Sequence, residues 1–556
     1  MNTNKSTSKN CGNRRPVFLY LLFMAAMVAV FHTNVNSQSL ELEISPLRFA
    51  GVHALSSVQG ESDAYMVLHT ASEGNWNFQL IDNRLDELRT GTIEAPRYSF
   101  FTGMTYNGEH ILLSFIVNAF SQSITYVVLD KQGFEVARTT RTDTPMLRRG
   151  DRFFPGVFNH PQQGFVIVQT TGRGRNAGYS VEQVDGQLNT LWSIEFAANK
   201  GTAHVYDLVA SNDKLFILEA TERMGRTLNA RLHSIDLSEN EHSYTMELGD
   251  GDHSYFPTAF LPMENGNIAM AGTYFNGSRI RGKNTRGMFF LNVGPDGTTD
   301  AMELYPWREL RKTLRTPVPD WFFKVMPDVY VHALELNNDG SITAVAELYR
   351  YSGEVRREDS RGRKEQYHRI RMLDFMLFGF DQAGGLQYTE RIERPHMVLK
   401  LDSEFSGGSE SLAHNAGQGP LRRARAMKEA GAFTYRFHQV TDDSFNLAFV
   451  SYEAKTHYAY FMDLNKNFNA VKTELRHATP AIISYYQIID LCANQSGFGF
   501  ILSELNTRSF DDSEAYWRGL LPSANGSMLT YEYMPLTGKL KLNRVILTDT
   551  QNQLTN

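Results

Sequence analysis

The chain has 556 residues, 42% hydrophobic and 12% aromatic, enough to fill a large core, and a formal net charge of −6. Its two cysteines exclude a disulfide framework, long apolar helical patterns are absent, and the acidic balance gives no reason to expect nucleic acid as a partner. With Asp, Asn, Gly and Ser recurring at turns, the composition favours an all-β fold.

Residues 1–37 stand apart. Lys5, Lys9, Arg14 and Arg15 precede a 15-residue apolar run over 17–31, and Val35-Asn36-Ser37 supplies small or short residues before Gln38. This is the pattern of a secretory signal peptide cleaved near Ser37, leaving a mature chain of residues 38–556 that is secreted, periplasmic or at the cell surface. The run falls short of the about 20 residues of a membrane span, so no span is expected after leader removal; an uncleaved signal anchor is the alternative. Cys11 precedes the run, the wrong place for lipoprotein acylation. Cys492 lies in the apolar run 488–493 and reads as a small buried hydrophobe.

A repeated unit organises the rest, and 255–304 is its clearest copy. Short strands over 255–263 and 268–274 flank the turn at Asn265-Gly266; strands over 287–293 and 298–304 flank Pro295-Asp296-Gly297. The first turn recurs at Gln59-Gly60, Asn107-Gly108, Gln163-Gly164, Asn212-Asp213, Asp339-Gly340, Asp442-Asp443 and Ser496-Gly497. β-rich runs follow each, among them 64–70, 110–117, 165–171, 215–221, 342–349, 445–452 and 498–504. The second turn recurs at Asp82-Asn83, Gln132-Gly133, Asp185-Gly186, Ser238-Glu239, Gly384-Gly385, Asn465-Lys466 and Thr537-Gly538. Successive first turns are 48, 56, 49, 53, 74, 103 and 54 residues apart. Most values sit near the roughly 40–50 of a propeller blade, and the two large ones mark insertions.

On these repeats the mature chain resembles the β-propeller superfamily, in particular secreted bacterial propellers of unknown function. The resemblance implies one domain over 38–556 with eight four-stranded blades and short helical insertions on one rim. Seven blades is the alternative, because 40–44 or the last strand could close the ring. Trp-Asp dipeptides, kelch glycine doublets and Asp-box motifs are missing, so no subfamily's residues carry over.

Alternating strand direction puts both short turns of a unit on one rim and the longer connections on the other. Long irregular segments are expected on the second rim at 276–287, 305–328, 350–371, 393–432 and 505–527. The first four carry net charges of +4, +2, +4 and +1, although residues 38–556 as a whole stand at −10. This basic sector, with Arg279, Arg281, Lys283, Arg286, Arg356, Arg357, Arg361 and Arg363 as candidate binding residues, suits an anionic partner. Solvated decoration of the rim is the plain alternative. Within 420–430, Leu421, Ala424, Met427 and Ala430 recur at helical spacing, as in a short helix that plugs the rim.

Catalytic and metal signals are weaker. Arg152, His204, His253, Tyr255, Arg436, Tyr485 and Tyr486 fall near strand starts at the channel mouth. They could serve acid–base chemistry or simply line the channel. Asp250, Asp252 and His253 lack the remaining ligands of a calcium loop, and no nucleophile elbow, zinc-helix or phosphate-loop motif occurs. No metal, cofactor or catalytic residue is assigned. The resulting expectation is a secreted, non-catalytic propeller acting as a binding or scaffolding module, its partner an unknown protein or an anionic polysaccharide. An extracellular carbohydrate-active lyase or hydrolase, with its site at the channel mouth, is the alternative.

Overall fold

The computed structural model describes residues 38–546, apart from short connecting stretches and four longer ones, 143–155, 314–326, 403–419 and 476–516. The expected leader and Cys492 lie outside the described residues, as do the turns at Gln59-Gly60, Asp442-Asp443 and Ser496-Gly497 and the run 498–504.

The strands form eight antiparallel sheets, each a blade. β1 (Gln38–Glu43) comes first and belongs to the last blade. Blade 1 holds β2 to β5 (Arg48–Leu55, Ala64–Ser72, Asn75–Asp82, Glu87–Glu94), and blade 2 holds β6 to β9 (Ser99–Tyr106, His110–Val117, Ile124–Asp130, Glu135–Arg141). Blade 3 holds β10 to β13 (Gly156–His160, Gly164–Thr171, Gly178–Val184, Thr190–Phe196), and blade 4 holds β14 to β17 (Thr202–Ala210, Lys214–Arg223, Arg226–Asp236, Glu241–Glu247). Blade 5 holds β18 to β21 (His253–Pro262, Ile268–Asn276, Gly287–Val293, Thr299–Pro306) and is followed by helix α1 (Trp307–Thr313). Blade 6 holds β22 to β25 (Asp328–Leu336, Ile342–Glu358, Lys364–Phe380, Leu386–Ile392) and an added β26 (Met397–Asp402); helix α2 (Pro420–Glu429) follows. Blade 7 holds β27 to β30 (Tyr435–Val440, Phe445–Glu453, Thr456–Asp463, Asn469–Leu475), and blade 8 holds β31 to β33 (Trp517–Pro522, Ser527–Met534, Lys539–Ile546). The fold is an eight-bladed β-propeller.

Period-2 alternation explains why the second and third strands read as unbroken apolar runs. On β3, Met66 and Leu68 pack toward blade 2 while Tyr65 and Val67 pack toward blade 8. On β7, Ile111, Leu113 and Phe115 face blade 1 while Leu112 faces blade 3. Each of the eight neighbouring pairs of blades shares such an apolar cluster. Outermost strands alternate with solvent instead, as in β17, where Thr245 and Glu247 are exposed and Tyr244 and Met246 half-buried.

The second turns of blades 1, 2, 3, 4 and 6 share a device that dipeptides locate only approximately. An aspartate ends the third strand, and its Oδ1 accepts two backbone N–H groups, from Gln132 and Phe134 at Asp130 (2.9 and 2.8 Å) and from Gln187 and Asn189 at Asp185 (both 2.8 Å). Three residues after the aspartate the backbone turns left-handed, at Gly133 (φ 82°) and Gly384 (φ 86°) but also at Leu85 (φ 67°) and Leu188 (φ 62°). Leu85 is buried in the cluster joining blades 8 and 1, and that packing offsets its backbone strain.

Two expectations need correction. Blade 8 takes only three strands from the C-terminal region, because β1 pairs with β33 from Gln38↔Arg544 to Glu43↔Lys539 and supplies the fourth. Thr537-Gly538 therefore joins the second and third strands of the blade, and part of 505–527 is its first strand, β31. The described parts of 350–371, residues 350–358 and 364–371, are strand: β23 and β24 each run 17 residues, pairing from Ile342↔Phe380 to Glu358↔Lys364, and β26 adds to β24. Short helices do sit between blades on the rim opposite the aspartate turns.

Candidate functional site

First strands of neighbouring blades touch one another around the ring and so line the central channel. Six of them, β2, β6, β14, β18, β22 and β27, carry a register shift against their second strand. The residues passed over are Ala50, Thr102, Tyr206, Thr258, His332 and Arg436. A bulge re-aims a side chain: Thr258 Oγ1 donates to Val331 O of the next blade (2.8 Å), and Tyr206 packs edge-on against Phe256 of the next (5.1 Å).

Of the basic candidates, Arg286 is exposed. Its N–H donates to Tyr274 O (2.9 Å) and its carbonyl accepts from Trp307 N–H (3.2 Å), so the backbone beneath it is fixed. Arg356 and Arg357 lie on β23 opposite Gln366 and Glu365, although their side chains are outside the description. Arg279, Arg281, Lys283, Arg361 and Arg363 lie outside the described residues. Chain topology puts the two segments that carry these eight residues between the second and third strands of adjacent blades, 5 and 6, and so on one rim.

Helix α2 closes over that rim. Leu421 packs into the apolar cluster of blades 4 and 5, and Ala424 and Met427 are buried. Arg423 Nη1 meets Asp328 Oδ2 at 2.6 Å where β22 begins, and its guanidinium stacks over Tyr351 at 4.2 Å. Lys428 reaches Asp207 on β14 (3.3 Å). The short helix that the spacing suggested thus ties blade 6 to blade 4 across blade 5. Burial pushes the Asp328 carboxyl up to about 6 in spite of Arg423 beside it.

Among the proposed channel-mouth residues, His253 and Tyr255 converge on Asp250. Its Oδ1 accepts the backbone N–H of Asp252 (2.9 Å) and His253 (2.6 Å), while Oδ2 accepts the Tyr255 hydroxyl and lies 3.4 Å from His253 Nδ1. Burial opposes the charge of Asp250, but these donors outweigh it and lower its pKa. Asp250 is thereby a turn cap whose lone pairs are taken. Arg436 donates to Phe433 O and, at 3.0 Å, to Tyr435 O. The His204 side chain, Arg152, Tyr485 and Tyr486 are outside the description. Among the described residues no group of three or more His, Cys, Asp or Glu side chains is gathered for a metal.

Sequence reasoning missed the main polar cluster. Glu347, fully buried on β23, accepts from Arg394 Nη2 (2.6 Å), Thr434 Oγ1 (2.7 Å), Thr434 N (3.1 Å) and Tyr435 N (3.3 Å), and lies 3.1 Å from His332 Nε2. Burial alone would raise its pKa, yet the Arg394 guanidinium and these donors hold it at about 2. His332 stacks on Tyr435 (4.4 Å), whose hydroxyl is 2.8 Å from His438 Nδ1, and His438 Nε2 is 3.0 Å from Glu335. This polar wall joins blades 6 and 7. Its one local signal was a glutamate inside the apolar run 342–349.

The chain is similar in fold to the europium-containing methanol dehydrogenase (8% identity, covering 77% of this chain and 80% of that one, TM-score 0.39). It is also similar to the quinohemoprotein alcohol dehydrogenase ADHIIG of Pseudomonas putida HK5 (8%, 91% and 77%, TM-score 0.41). A third is the β-propeller domain of the Trilobed protease from Pyrococcus furiosus (10%, 82% and 99%, TM-score 0.34). At such identities no residue or activity carries over. No curated protein matches the chain, and no helix among the described residues is long and apolar enough to cross a membrane. Residues 73–474 match a family model described as a family of unknown function (DUF6770), and the chain belongs to that family.

Proposed function

We propose that this propeller is an exported binding module, non-catalytic at its rim and channel mouth, that receives an anionic partner, such as an acidic polysaccharide, on the rim of blades 5 to 7. One observation supports the reading above the rest: the connections lengthened on that rim are the ones rich in arginine and lysine. β23 and β24 reach 17 residues where the second and third strands of blade 2 have eight and seven. Export rests on the leader pattern over 1–37. The titratable groups His253 and Tyr255 serve as turn fasteners, which favours binding over chemistry at the channel mouth.

The test is retention on an immobilised acidic polysaccharide as salt is raised. Replacing Arg279, Arg281, Lys283 and Arg286 together by Ser should lower the eluting salt concentration while leaving the unfolding midpoint nearly unchanged, since exposed charges add little to folding. Unchanged retention would reject the sector. Sequencing the N-terminus of the exported protein should give a start close to Gln38, and a protein beginning at Met1 in the cytoplasm would reject export.

A further inference from the structure

A second cluster lies away from the rim, on the outer half of blade 4 beside blade 3. Glu219 on β15, His233 on β16 and Thr245 on β17 sit on three adjacent strands, and His233 is directly opposite Thr245 in the register. His233 Nε2 is 3.1 Å from Glu219 Oε2, and His233 Nδ1 is 2.9 Å from Thr245 Oγ1. Glu219 and His233 are buried, whereas Thr245 is exposed.

Hydrogen-bond partners orient the His233 ring. Glu219 also accepts the Tyr179 hydroxyl of blade 3 (3.2 Å) and lies 3.8 Å from Arg231. Burial opposes its charge, but His233, Arg231 and Tyr179 together lower its pKa. An ionised carboxylate only accepts, so Nε2 of His233 is the donor to Glu219, and in the neutral ring the Nδ1 lone pair faces Thr245. The Thr245 hydroxyl donates to that lone pair. His242 Nε2, 3.0 Å from Thr245 Oγ1, must then donate to the same oxygen. Phe196 of blade 3 packs against both imidazoles (4.7 and 5.9 Å) and restricts their rotation.

We propose that Thr245 is a nucleophile for acyl transfer from carboxylic esters, with His233 as its general base, Glu219 orienting that base and His242 as the donor. A hydroxyl within hydrogen-bond reach of a base that a third group orients is the arrangement such chemistry needs. Thr245 Oγ1 attacks the ester carbonyl and its proton passes to His233 Nδ1. The carbonyl–alkoxy bond breaks, and the leaving oxygen takes that proton from His233 Nδ1. Water, deprotonated by His233, then releases the acid and restores the threonine. β17 is the outer edge of its sheet, so alternate backbone N–H groups face solvent there and can receive the developing oxyanion. The flat, exposed setting suits small or extended esters rather than a ligand needing enclosure.

The test uses p-nitrophenyl acetate on the full-length protein, with p-nitrophenol release and peptide mapping of the acetyl group as readouts. Thr245→Ala should lower release about a hundredfold, His233→Asn by a similar factor, and Thr245→Ser should retain activity and carry the acetyl on the serine. Thr245 is exposed, so its unfolding midpoint should match that of the unaltered protein. Release by Thr245→Ala at the unaltered rate, or acetyl groups found only on lysines or other residues, overturns the proposal. Loss of release in Thr245→Ser with unchanged unfolding does so too. Failure here leaves the rim reading untouched, because the two sites share no residue.

Discussion

Blades 2 and 6 are built to one plan and differ in how they treat buried polar atoms. In blade 2 the buried hydroxyls of the first two strands are neutral and local, Thr102 Oγ1 meeting Ser114 Oγ at 2.8 Å and Ser114 Oγ donating to Gly103 O at 3.2 Å, while its third and fourth strands reach blade 3 through Tyr126 with Gln169 (3.2 Å) and Arg141 with Glu182. In blade 6 a carboxylate is buried whole, and its partners Arg394 and Thr434 come from 47 and 87 residues away. Charge taken out of water is costly unless it is paired and hydrogen-bonded, so blade 6 depends on the segment arriving after β25. Among its described residues the plain blade buries no carboxylate of its own. The modified blade is a junction that fixes the next blade and carries the rim's long hairpin.

The largest expected effect breaks this junction. Glu347→Ala should destabilise the protein by about 3–5 kcal/mol in denaturant unfolding, because Arg394 is left buried and unpaired. Glu347→Gln, which keeps an acceptor, should cost less. A loss below about 1 kcal/mol for the alanine variant would make the two blades equivalent.

Next comes pH. Glu347 titrates near 2 in the fold against an ordinary 4.5, so it binds its proton more readily when unfolded. Its contribution is complete above pH 4.5 and is lost as pH falls from 4.5 toward 2, by about 3 kcal/mol over that window. Denaturant titrations between pH 6 and pH 2.5 should show a steep acid limb that Glu347→Gln flattens. An equal slope in the variant would contradict the assignment. The smallest effect belongs to blade 2, where Ser114→Ala should cost about 1 kcal/mol and leave the acid limb as it was.

Legibility followed the same division. The unit at 255–304 was readable because its strands pair with their neighbours in sequence and its turns carry their own chemistry; the predicted 287–293 and 110–117 coincide with β20 and β7. The eighth blade was misread in detail because its outermost strand, Gln38–Glu43, lies some 500 residues from its partner; 40–44 was raised as a ring-closing strand, but only as the alternative that would leave seven blades. The turn at Asp82-Asn83 was readable, but the left-handed residue in it is a leucine, intelligible only once its side chain is seen buried between blades 8 and 1. The 350–371 hairpin was hidden by its charges, which look like a loop until β26 is found pairing β24 from Tyr367↔Asp402 to Met372↔Met397. Helix α2 was readable from spacing, but not that Arg423 and Lys428 are engaged with Asp328 and Asp207 rather than offered to a ligand.

The most direct test of the binding account shortens the modified blade toward the plain one. Residues 356–366, the far end of the β23–β24 hairpin with Arg356, Arg357, Arg361 and Arg363, would be replaced by Asn-Gly, a pair suited to a two-residue hairpin turn. Retention on the acidic polysaccharide column is then compared with that of the full-length protein across a salt gradient. The account predicts elution at markedly lower salt with the unfolding midpoint within a degree or two of the original, roughly the shift that 0.5 kcal/mol gives a large domain. Elution at the same salt as the full-length protein would contradict it.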